Sequence, residues 1–211
     1  MKRKYKAGLG SLFFLFFYLS VSFPARAGTS TEQLRSAVDG VVAILNNPNL
    51  KSEARREERL AQLRRVIHAR FDFAEMAKRS LGPHWQRRTP EERQEFVKIF
   101  ANLLEKSYVD TIESYNGEKV VYTNEVQEKG YAEVDTKVVS KKGEQFSVNY
   151  KMHLVNEGWK VYDVVIENIS LVNNYRSQFN RTITTASYEE LVRRMKGKQV
   201  ESPGQKKSKV G

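Results

Sequence analysis

Histidine is the side chain most often used for acid–base catalysis and metal binding near neutral pH, and the chain has three of them, His68, His84 and His153. They lie far apart in sequence, and none has a second ligand at the spacing that a metal site requires. The sequence also contains no H-E-x-x-H motif, no G-x-S-x-G nucleophile motif and no phosphate-binding glycine loop. We therefore predict no catalytic residue, no metal site and no cofactor, and expect each histidine to be a surface or structural residue.

Asp163 has the most unusual sequence environment among the carboxylates, because apolar residues flank it in the stretch WKVYDVVI at 159–166. A buried aspartate requires a partner, since an unpaired charge is costly to remove from water. Arg176, near the start of the helix predicted after this stretch, is the candidate partner. We predict a structural ion pair between Asp163 and Arg176 rather than a catalytic base.

The net charge of +11 at pH 7 would suit a nucleic-acid-binding protein, but the positive charge is concentrated at the two ends of the chain. Residues 28–195 hold 26 basic and 24 acidic side chains, so the body of the chain is nearly neutral. The sequence therefore predicts no nucleic-acid partner.

The amino terminus is typical of a secretory signal peptide. Four basic residues within positions 2–6 precede an apolar run at 12–21, and Ala25-Arg26-Ala27 supplies the small residues of a cleavage site. An uncleaved membrane anchor would need about 20 apolar residues, roughly twice this run. We predict cleavage after Ala27 and export to the periplasm. The remaining chain is then one domain, 28–196, followed by a disordered lysine-rich tail, 197–211.

Apolar residues recur with helical spacing in six stretches. The clearest start is Thr89-Pro90-Glu91-Glu92, where threonine suits the N-cap, proline suits the first helical position, and Glu92 can complete a capping box. Asp72 and Glu75 have the same spacing and predict the start of a shorter helix. The predicted helices run over about 31–46, 52–69, 73–81, 90–115, 173–183 and 188–196.

After Gly117 the apolar period changes from that of a helix to that of a strand. Alternating residues predict strands at 120–126, 131–139, 146–154 and 159–166, separated by short turns that contain glycine. Strands joined in this way form an antiparallel meander with one wet face and one apolar face. The sequence therefore predicts an α+β fold, in which helices pack on one main face of a sheet of about four strands.

The last predicted strand is apolar on both faces, so its orientation depends on its register. We expect the face without a carboxylate to point into the interior; it carries Tyr162, Val164 and Ile166. The other face would pack beneath the helix that starts near 173, and it carries Trp159, Val161, Asp163 and Val165. The opposite register, which exchanges the two faces, is the alternative.

Three segments carry a resemblance to a known family: FDFAEMAKRSLGPHW at 71–85, TPEERQEFVKIFANLLEKSY at 89–108 and WKVYDVVIENISLVNNYRSQF at 159–179. Taken together, in this order and spacing, they resemble the MlaC family of periplasmic phospholipid-binding proteins, also called toluene-tolerance auxiliary transport proteins. The similarity extends over nearly the whole chain after the signal peptide.

The resemblance implies a soluble carrier, which we expect to be a monomer, with a phospholipid as its cargo. Its partners would be an outer-membrane lipoprotein–porin complex and an inner-membrane ABC transporter with an MCE-domain ring, and its role would be to maintain outer-membrane lipid asymmetry. The acyl tails would lie in an apolar cavity between a curved sheet and the helices, with the headgroup exposed. The lining residues implied are Phe96, Phe100, Leu103, Leu104 and Tyr108 from the long helix, Val148, Tyr150, Met152, Tyr162, Val164 and Ile166 from the sheet, and Met76 and Trp85 at the mouth.

Two other classes of function fit the same apolar stripes. A periplasmic protein-interaction module with a solid core would show the same patterns and carry no lipid. A lipid hydrolase would need a nucleophile and a base lining the cavity.

Overall fold

The structure, a computed structural model, describes residues 28–156, 158–197 and 200. The predicted signal peptide at 1–27 and most of the predicted tail at 197–211 lie outside these residues. Short 3₁₀ turns at Pro48–Leu50, Glu53–Arg55 and Gly82–Arg87 join some of the helices. The helices and strands are α1 (Ser30–Asn46), α2 (Arg56–Arg70), α3 (Phe73–Leu81), α4 (Pro90–Glu113), β1 (Lys119–Glu128), β2 (Tyr131–Val139), β3 (Gln145–Val155), β4 (Gly158–Ile166), β5 (Ile169–Ser170), α5 (Leu171–Thr185) and α6 (Tyr188–Lys196).

The local signals for helix starts act largely as predicted. At α4 the Thr89 hydroxyl accepts from the Glu92 N–H at 3.2 Å, and the Glu92 carboxylate accepts from the Thr89 N–H at 2.8 Å, so the capping box is complete. At α3 the Asp72 carboxylate accepts from the Glu75 N–H at 2.9 Å. The Glu75 carboxylate instead accepts from Arg79 at 2.8 Å, so α3 has the N-cap but its acidic residue serves an ion pair.

The strands form one antiparallel sheet in the order β1-β2-β3-β4-β5. The four long strands are the predicted meander, and β5 adds two residues at the edge. We call the face that carries the buried β2 residues Ala132, Val134 and Thr136 the inner face, and the opposite face the outer face. The predicted α+β fold is confirmed.

A β-bulge in β4 changes which residues share a face. Lys151 of β3 pairs with Asp163, whereas the next β3 residue, Met152, pairs with Val161. Tyr162 is therefore an extra residue without a partner on β3, and an extra residue interrupts the alternation of side chains along a strand.

The bulge corrects the prediction of an uninterrupted alternation along β4. Both segments of the strand present apolar residues to the inner face, Trp159 and Val161 before the bulge and Val164 and Ile166 after it. The placement of Tyr162 on the inner face is wrong, because the bulge leaves its ring on the outer face. In the sequence β4 looks apolar on both faces because the bulge shifts the alternation by one residue. The apolar residues before and after the bulge in fact point to the same buried face.

The buried apolar side chains form two clusters. The helical cluster joins α3, α4, α5 and α6 and consists of Met76, Ala77, Leu81, Phe96, Phe100, Leu103, Leu104, Val172, Tyr175, Phe179, Leu191 and Met195. The sheet cluster joins the inner face to α1 and to the start of α5 and consists of Leu34, Ala132, Val134, Val148, Met152, Trp159, Val161, Val164 and Leu171. Phe71 and Tyr108 pack against both clusters, and we call the region where they do so the seam.

The position of α4 differs from the implied arrangement in which the long helix faces the sheet across the cavity. α4 packs on α3 and α6, and its buried residues belong to the helical cluster. Tyr108, near its carboxyl end, reaches the sheet cluster. The inner face is covered instead by α1 through Leu34 and Val38, because α1 is the helix that packs along β1, β2 and β4. None of the helices in the described part of the chain has the length and apolar character needed to cross a bilayer.

Candidate functional site

The helical cluster is closely packed around aromatic rings. The Phe100 ring lies edge-on to Tyr175 at 5.5 Å and to Phe179 at 6.0 Å, and Phe96 lies edge-on to Phe179 at 5.8 Å. Edge-to-face contacts at these distances are the arrangement that aromatic quadrupoles favour. All four rings are shielded from water. Six predicted lining residues belong to this cluster or pack against it alone, namely Met76, Trp85, Phe96, Phe100, Leu103 and Leu104.

The inner face holds five of the other predicted lining residues. Val148, Met152 and Val164 are buried, while Tyr150 and Ile166 are partly buried and pack against the sheet cluster. The fold therefore divides the predicted lining set between two clusters, which Tyr108 connects at the seam.

The inner face is incompletely covered near the β2–β3 turn. Phe146 is 41% exposed and Ile169 is 43% exposed, and the neighbouring Val138 and Ile166 are only partly buried. These side chains continue the apolar surface of the sheet cluster outward. A grouped set of exposed apolar residues is a common sign of a binding surface.

Tyrosine hydroxyls lie at the seam and on the adjoining inner face. Burial raises the pKa of Tyr108, and the neighbouring Tyr175 adds to the rise. Burial also raises the pKa of Tyr150, with a contribution from Tyr122. It raises the pKa of Tyr122 to about 12, although the Arg35 cation opposes the rise. These phenols are neutral at physiological pH and can donate hydrogen bonds.

Asp163 is buried as predicted, but its partners are different. One carboxylate oxygen accepts from the Ser170 hydroxyl at 2.6 Å, and the other accepts from the Val172 N–H at 3.0 Å. Ser170 is itself the N-cap of α5, and its hydroxyl accepts from the Asn173 N–H at 3.0 Å. The carboxylate thus satisfies the amino end of α5, where free N–H groups and the helix dipole favour a negative charge.

The predicted ion pair between Asp163 and Arg176 is wrong. The Arg176 Nε donates to the carbonyl oxygen of Arg79 at 2.8 Å, in the last turn of α3, where a cation satisfies free carbonyl groups. α5 begins at Leu171, two residues earlier than predicted, so Arg176 lies more than a turn into the helix. Instead of pairing with each other, Asp163 caps the amino end of α5 and Arg176 caps the carboxyl end of α3.

Tyr162 belongs to a group on the outer face instead of the predicted cavity. Its ring lies edge-on to Tyr131 at 6.0 Å and to His153 at 5.5 Å, and the Arg79 guanidinium stands 4.1 Å from its centroid. His153 Nε2 is 3.0 Å from the Asp72 carboxylate. This group ties α3 to the sheet from the side opposite the sheet cluster.

The other two histidines have structural surroundings as well. His84 Nε2 is 2.9 Å from the side-chain oxygen of Asn180, and the His68 ring lies 4.6 Å from that of Phe73. Within the described residues, no group of three or more histidine, aspartate or glutamate side chains is placed to hold a metal ion.

A small pocket lies between α4 and α6. It has a volume of about 130 Å³ and is lined by Ile99, Asn102, Leu103, Lys106, Met195 and Lys196. Sites for small organic ligands typically have about 300–1,000 Å³. This pocket also shares only Leu103 with the predicted lining set, so it is not the predicted tail cavity.

Several residues of the inner face were not anticipated from the sequence. Tyr122 lies on the inner face of β1, and the Arg35 guanidinium of α1 stands 4.1 Å from its ring centroid. Phe71 joins the two clusters and forms an isolated parallel bridge with Val161. No local pattern marks these residues, because each contact joins elements that are distant in sequence.

Comparison with other proteins identifies the family. A family model described as MlaC protein matches residues 35–197, from within α1 to just past the end of α6. The chain belongs to the MlaC family. The match includes the seam, the inner face and, except for Leu34, both clusters.

Individual relatives agree with this assignment to the MlaC family. Toluene tolerance protein ttg2D of Pseudomonas putida is 26% identical over 154 residues, which make up 72% of this chain and 68% of that protein. The intermembrane phospholipid transport system binding protein MlaC of Haemophilus influenzae is 21% identical over 120 residues, and the match spans 54% of this chain and 56% of that relative.

A solved structure has the same fold. It is the phospholipid-binding protein from Ralstonia solanacearum in complex with a phospholipid, which is 26% identical and superposes with a TM-score of 0.72. The match covers 81% of this chain and 96% of the Ralstonia chain.

Proposed function

We propose that the chain binds a phospholipid and carries it through the periplasm, between an outer-membrane lipoprotein–porin complex and an inner-membrane ABC transporter with an MCE-domain ring. In this role it maintains outer-membrane lipid asymmetry. The observation that carries the proposal is the similarity to the phospholipid-bound Ralstonia solanacearum protein, which extends over 96% of that chain. The partly exposed inner face supports it from the geometry.

The acyl tails are best accommodated along the inner face and beneath the seam. The helical cluster has its rings fixed by one another, so a lipid inserted there would break edge-to-face contacts. The two clusters touch at Phe71 and Tyr108, so separation there disturbs fewer contacts. In this proposal the tails lie against Tyr108, Val148, Tyr150, Met152, Val164 and Ile166, and the helical-cluster residues of the predicted lining support the wall from behind.

The energetics of transfer explain why such a protein requires no catalytic group. Exposing acyl chains to water costs roughly 0.8 kcal/mol per CH₂, so a two-chain lipid faces a barrier on the order of 20 kcal/mol when it crosses an aqueous space alone. A carrier needs only to replace one apolar environment with another of similar quality. The direction of transfer then depends on its docking partners.

A protein-interaction module with a solid core is the second candidate. The close packing of the helical cluster and the small volume of the pocket between α4 and α6, about 130 Å³, favour it. In that case the apolar surface near the β2–β3 turn would bind a protein segment.

Native mass spectrometry separates the two candidates. The full chain, with its predicted signal peptide, would be produced in a host with two membranes. The exported protein would be purified from the periplasm without detergent and measured directly. A carrier should retain phospholipid, seen as a mass increment that collisional activation releases as intact lipid. Protein that is folded by circular dichroism and uniformly free of lipid, both as purified and after incubation with vesicles, would contradict the proposal and favour the interaction module.

A further inference from the structure

The Tyr122 hydroxyl is an unusual group on the inner face. Its oxygen is shielded from water and has no hydrogen-bond partner among the residues that the structure describes. A shielded hydroxyl without a partner has lost its hydrogen bonds to water and forms no hydrogen bond within the protein to replace them. The same face provides a partner for another hydroxyl, since Thr136 Oγ1 donates to the Val148 carbonyl at 2.5 Å. Tyr122 thus has an unused donor inside an apolar surface.

A cation stands directly over this tyrosine. The Arg35 guanidinium lies 4.1 Å from the Tyr122 ring centroid. Arg35 is exposed and forms no ion pair with a carboxylate of the described chain, while the Asp39 carboxylate is near enough to Tyr122 to add to the rise of its pKa. Stacking uses the face of the guanidinium plane and leaves its N–H groups free to donate at the edge. Several other arginines on the helices are already paired, including Arg56 and Arg59 with Glu113 and Arg64 with Glu105.

The register of the sheet connects this pair to the apolar surface. Tyr122, Thr136, Val148 and Ile166 face one another in a single row across four strands, so an apolar path begins at Tyr122 and runs toward β4. Tyr150 lies near enough to Tyr122 for that phenol to contribute to the raised pKa of Tyr150. One end of the row therefore offers a cation and hydroxyl donors, and the rest offers apolar contact.

We propose that Arg35 and Tyr122 bind the phosphodiester group of the cargo, with the Arg35 guanidinium edge and the Tyr122 hydroxyl donating to its oxygens while the acyl chains follow the row toward Ile166. This inference rests on the proposed function and assigns the polar end of the same site. A guanidinium fork matches the geometry of phosphate oxygens. A neutral phenol beside it donates to an anion without adding charge.

The test is a competition between two lipids that differ at the phosphate. The mature protein is incubated with vesicles that contain phosphatidylglycerol and diacylglycerol with the same acyl chains in equal amounts. The ratio of the two lipids retained is then read by native mass spectrometry. The wild-type chain should retain mostly phosphatidylglycerol. Arg35→Ala should lower the ratio about 10-fold, because it removes a charge-assisted hydrogen bond. Tyr122→Phe should lower it by a few-fold, on the order of one neutral hydrogen bond.

Matched control variants show whether a change in the lipid ratio is specific to Arg35 and Tyr122. Arg65→Ala removes an exposed arginine of α2, and Tyr131→Phe removes the hydroxyl of an outer-face tyrosine that is 49% exposed. Both should leave the ratio unchanged, whereas Arg35→Lys should give an intermediate value because it keeps the charge and loses the fork. Tyr122→Phe should also leave the stability to urea unchanged or slightly higher, since the hydroxyl has no partner to lose.

The outcomes distinguish this inference from the proposed function. A wild-type protein that retains neither lipid would overturn the proposed function. A protein that retains both lipids with a ratio insensitive to Arg35→Ala and Tyr122→Phe would overturn only the assignment of the phosphate site. Inorganic phosphate is the third arm. If millimolar phosphate stabilises the lipid-free wild type but not Arg35→Ala, and Arg35→Ala leaves the lipid ratio unchanged, the pair is a free-anion site and the assignment fails.

Discussion

The helical cluster and the sheet cluster are built from similar apolar residues, yet they are arranged for different tasks. In the helical cluster four helices enclose phenylalanine, leucine, methionine and tyrosine side chains, and Phe96, Phe100, Tyr175 and Phe179 are completely shielded. The sheet cluster has one layer of cover from α1 and leaves Phe146 partly exposed, and the partly buried Tyr108, Tyr122 and Tyr150 pack against it. An apolar stripe in a sequence thus identifies a buried surface without saying whether that surface is permanently filled.

The difference has a physical origin in the number of neighbours that each surface has. A helix in a bundle has helices on several sides, so its apolar stripe is fully covered and each ring is held by others. A sheet presents a broad face to whatever packs on it, and a single helix leaves part of that face uncovered. We infer that the helical cluster supplies stability and that the sheet cluster supplies an adaptable surface.

The largest expected effect is the loss of stability on truncating a helical-cluster ring. Phe100→Ala should lower the free energy of unfolding by about 3–5 kcal/mol, because the site is fully enclosed and cannot collapse around the cavity. Phe146→Ala makes the same change on the inner face, where the ring is 41% exposed, and should cost less than about 1 kcal/mol. Urea unfolding followed by circular dichroism measures both. Equal costs at the two positions would show that the clusters do not differ as described.

The second prediction concerns Asp163, which fixes α5 beside both clusters. Asp163→Ala should lower the free energy of unfolding by about 1–3 kcal/mol, because it leaves the Val172 N–H and the Ser170 hydroxyl without their acceptor. Arg176→Ala should cost only about 0.5–1 kcal/mol, since it loses one exposed hydrogen bond to the Arg79 carbonyl. If the double variant showed strong coupling between the two residues, they would be interacting directly, contrary to the structure.

What could be predicted from the sequence was mostly local. The capping box at Thr89, the turns with glycine and the alternation in β2 each depend on a few neighbouring residues, and each is observed. The α+β fold followed from the order of these elements. The partners of Asp163 and the neighbours of α4 depend on contacts between distant segments, and periodicity does not contain that information.

The bulge in β4 is an intermediate case, because a signal was present. The inner-face residues Trp159 and Val161 are two apart, Val164 and Ile166 are two apart, and Val161 and Val164 are three apart. A change of phase of this kind within one apolar strand indicates an extra residue. By contrast, nothing in the sequence links Arg35 to Tyr122, since α1 and β1 are brought together only by the fold.

The third prediction tests whether the sheet cluster binds the acyl chains of a phospholipid. Ile166→Glu places a carboxylate on the partly buried end of the inner face, where it can still reach water. Phospholipid retention should fall at least about 10-fold, because the acyl chains would have to desolvate the charge. The free energy of unfolding should change by less than about 1 kcal/mol, as at other incompletely buried positions. Native mass spectrometry and urea unfolding on the same sample measure both quantities. A folded variant that retains lipid at the wild-type level would show that the tails lie elsewhere.

The smallest effect is expected on the free energy of unfolding at alkaline pH, where the tyrosine hydroxyls beside the sheet cluster ionise. Burial raises the pKa of Tyr122 from 10.0 to about 12, and it also raises the pKa of Tyr108 and Tyr150. In the unfolded chain these phenols ionise near pH 10, so above that pH the unfolded state releases protons that the folded state retains. Their contribution to stability is therefore complete below about pH 10 and is lost as the pH rises to about 12.

Urea unfolding at a series of pH values from about 9 to about 12 should show this decline, and Tyr122→Phe should make it shallower. The change should be modest, because Tyr122 is only partly buried and the Arg35 cation stabilises its ionised form. Tyr131→Phe, which alters a ring that is 49% exposed on the outer face, should leave the decline as in the wild type. If the two variants behaved alike, the Tyr122 hydroxyl would be as accessible to water as that of Tyr131. The inner face would then lack the shielded donor on which the proposed phosphate site depends.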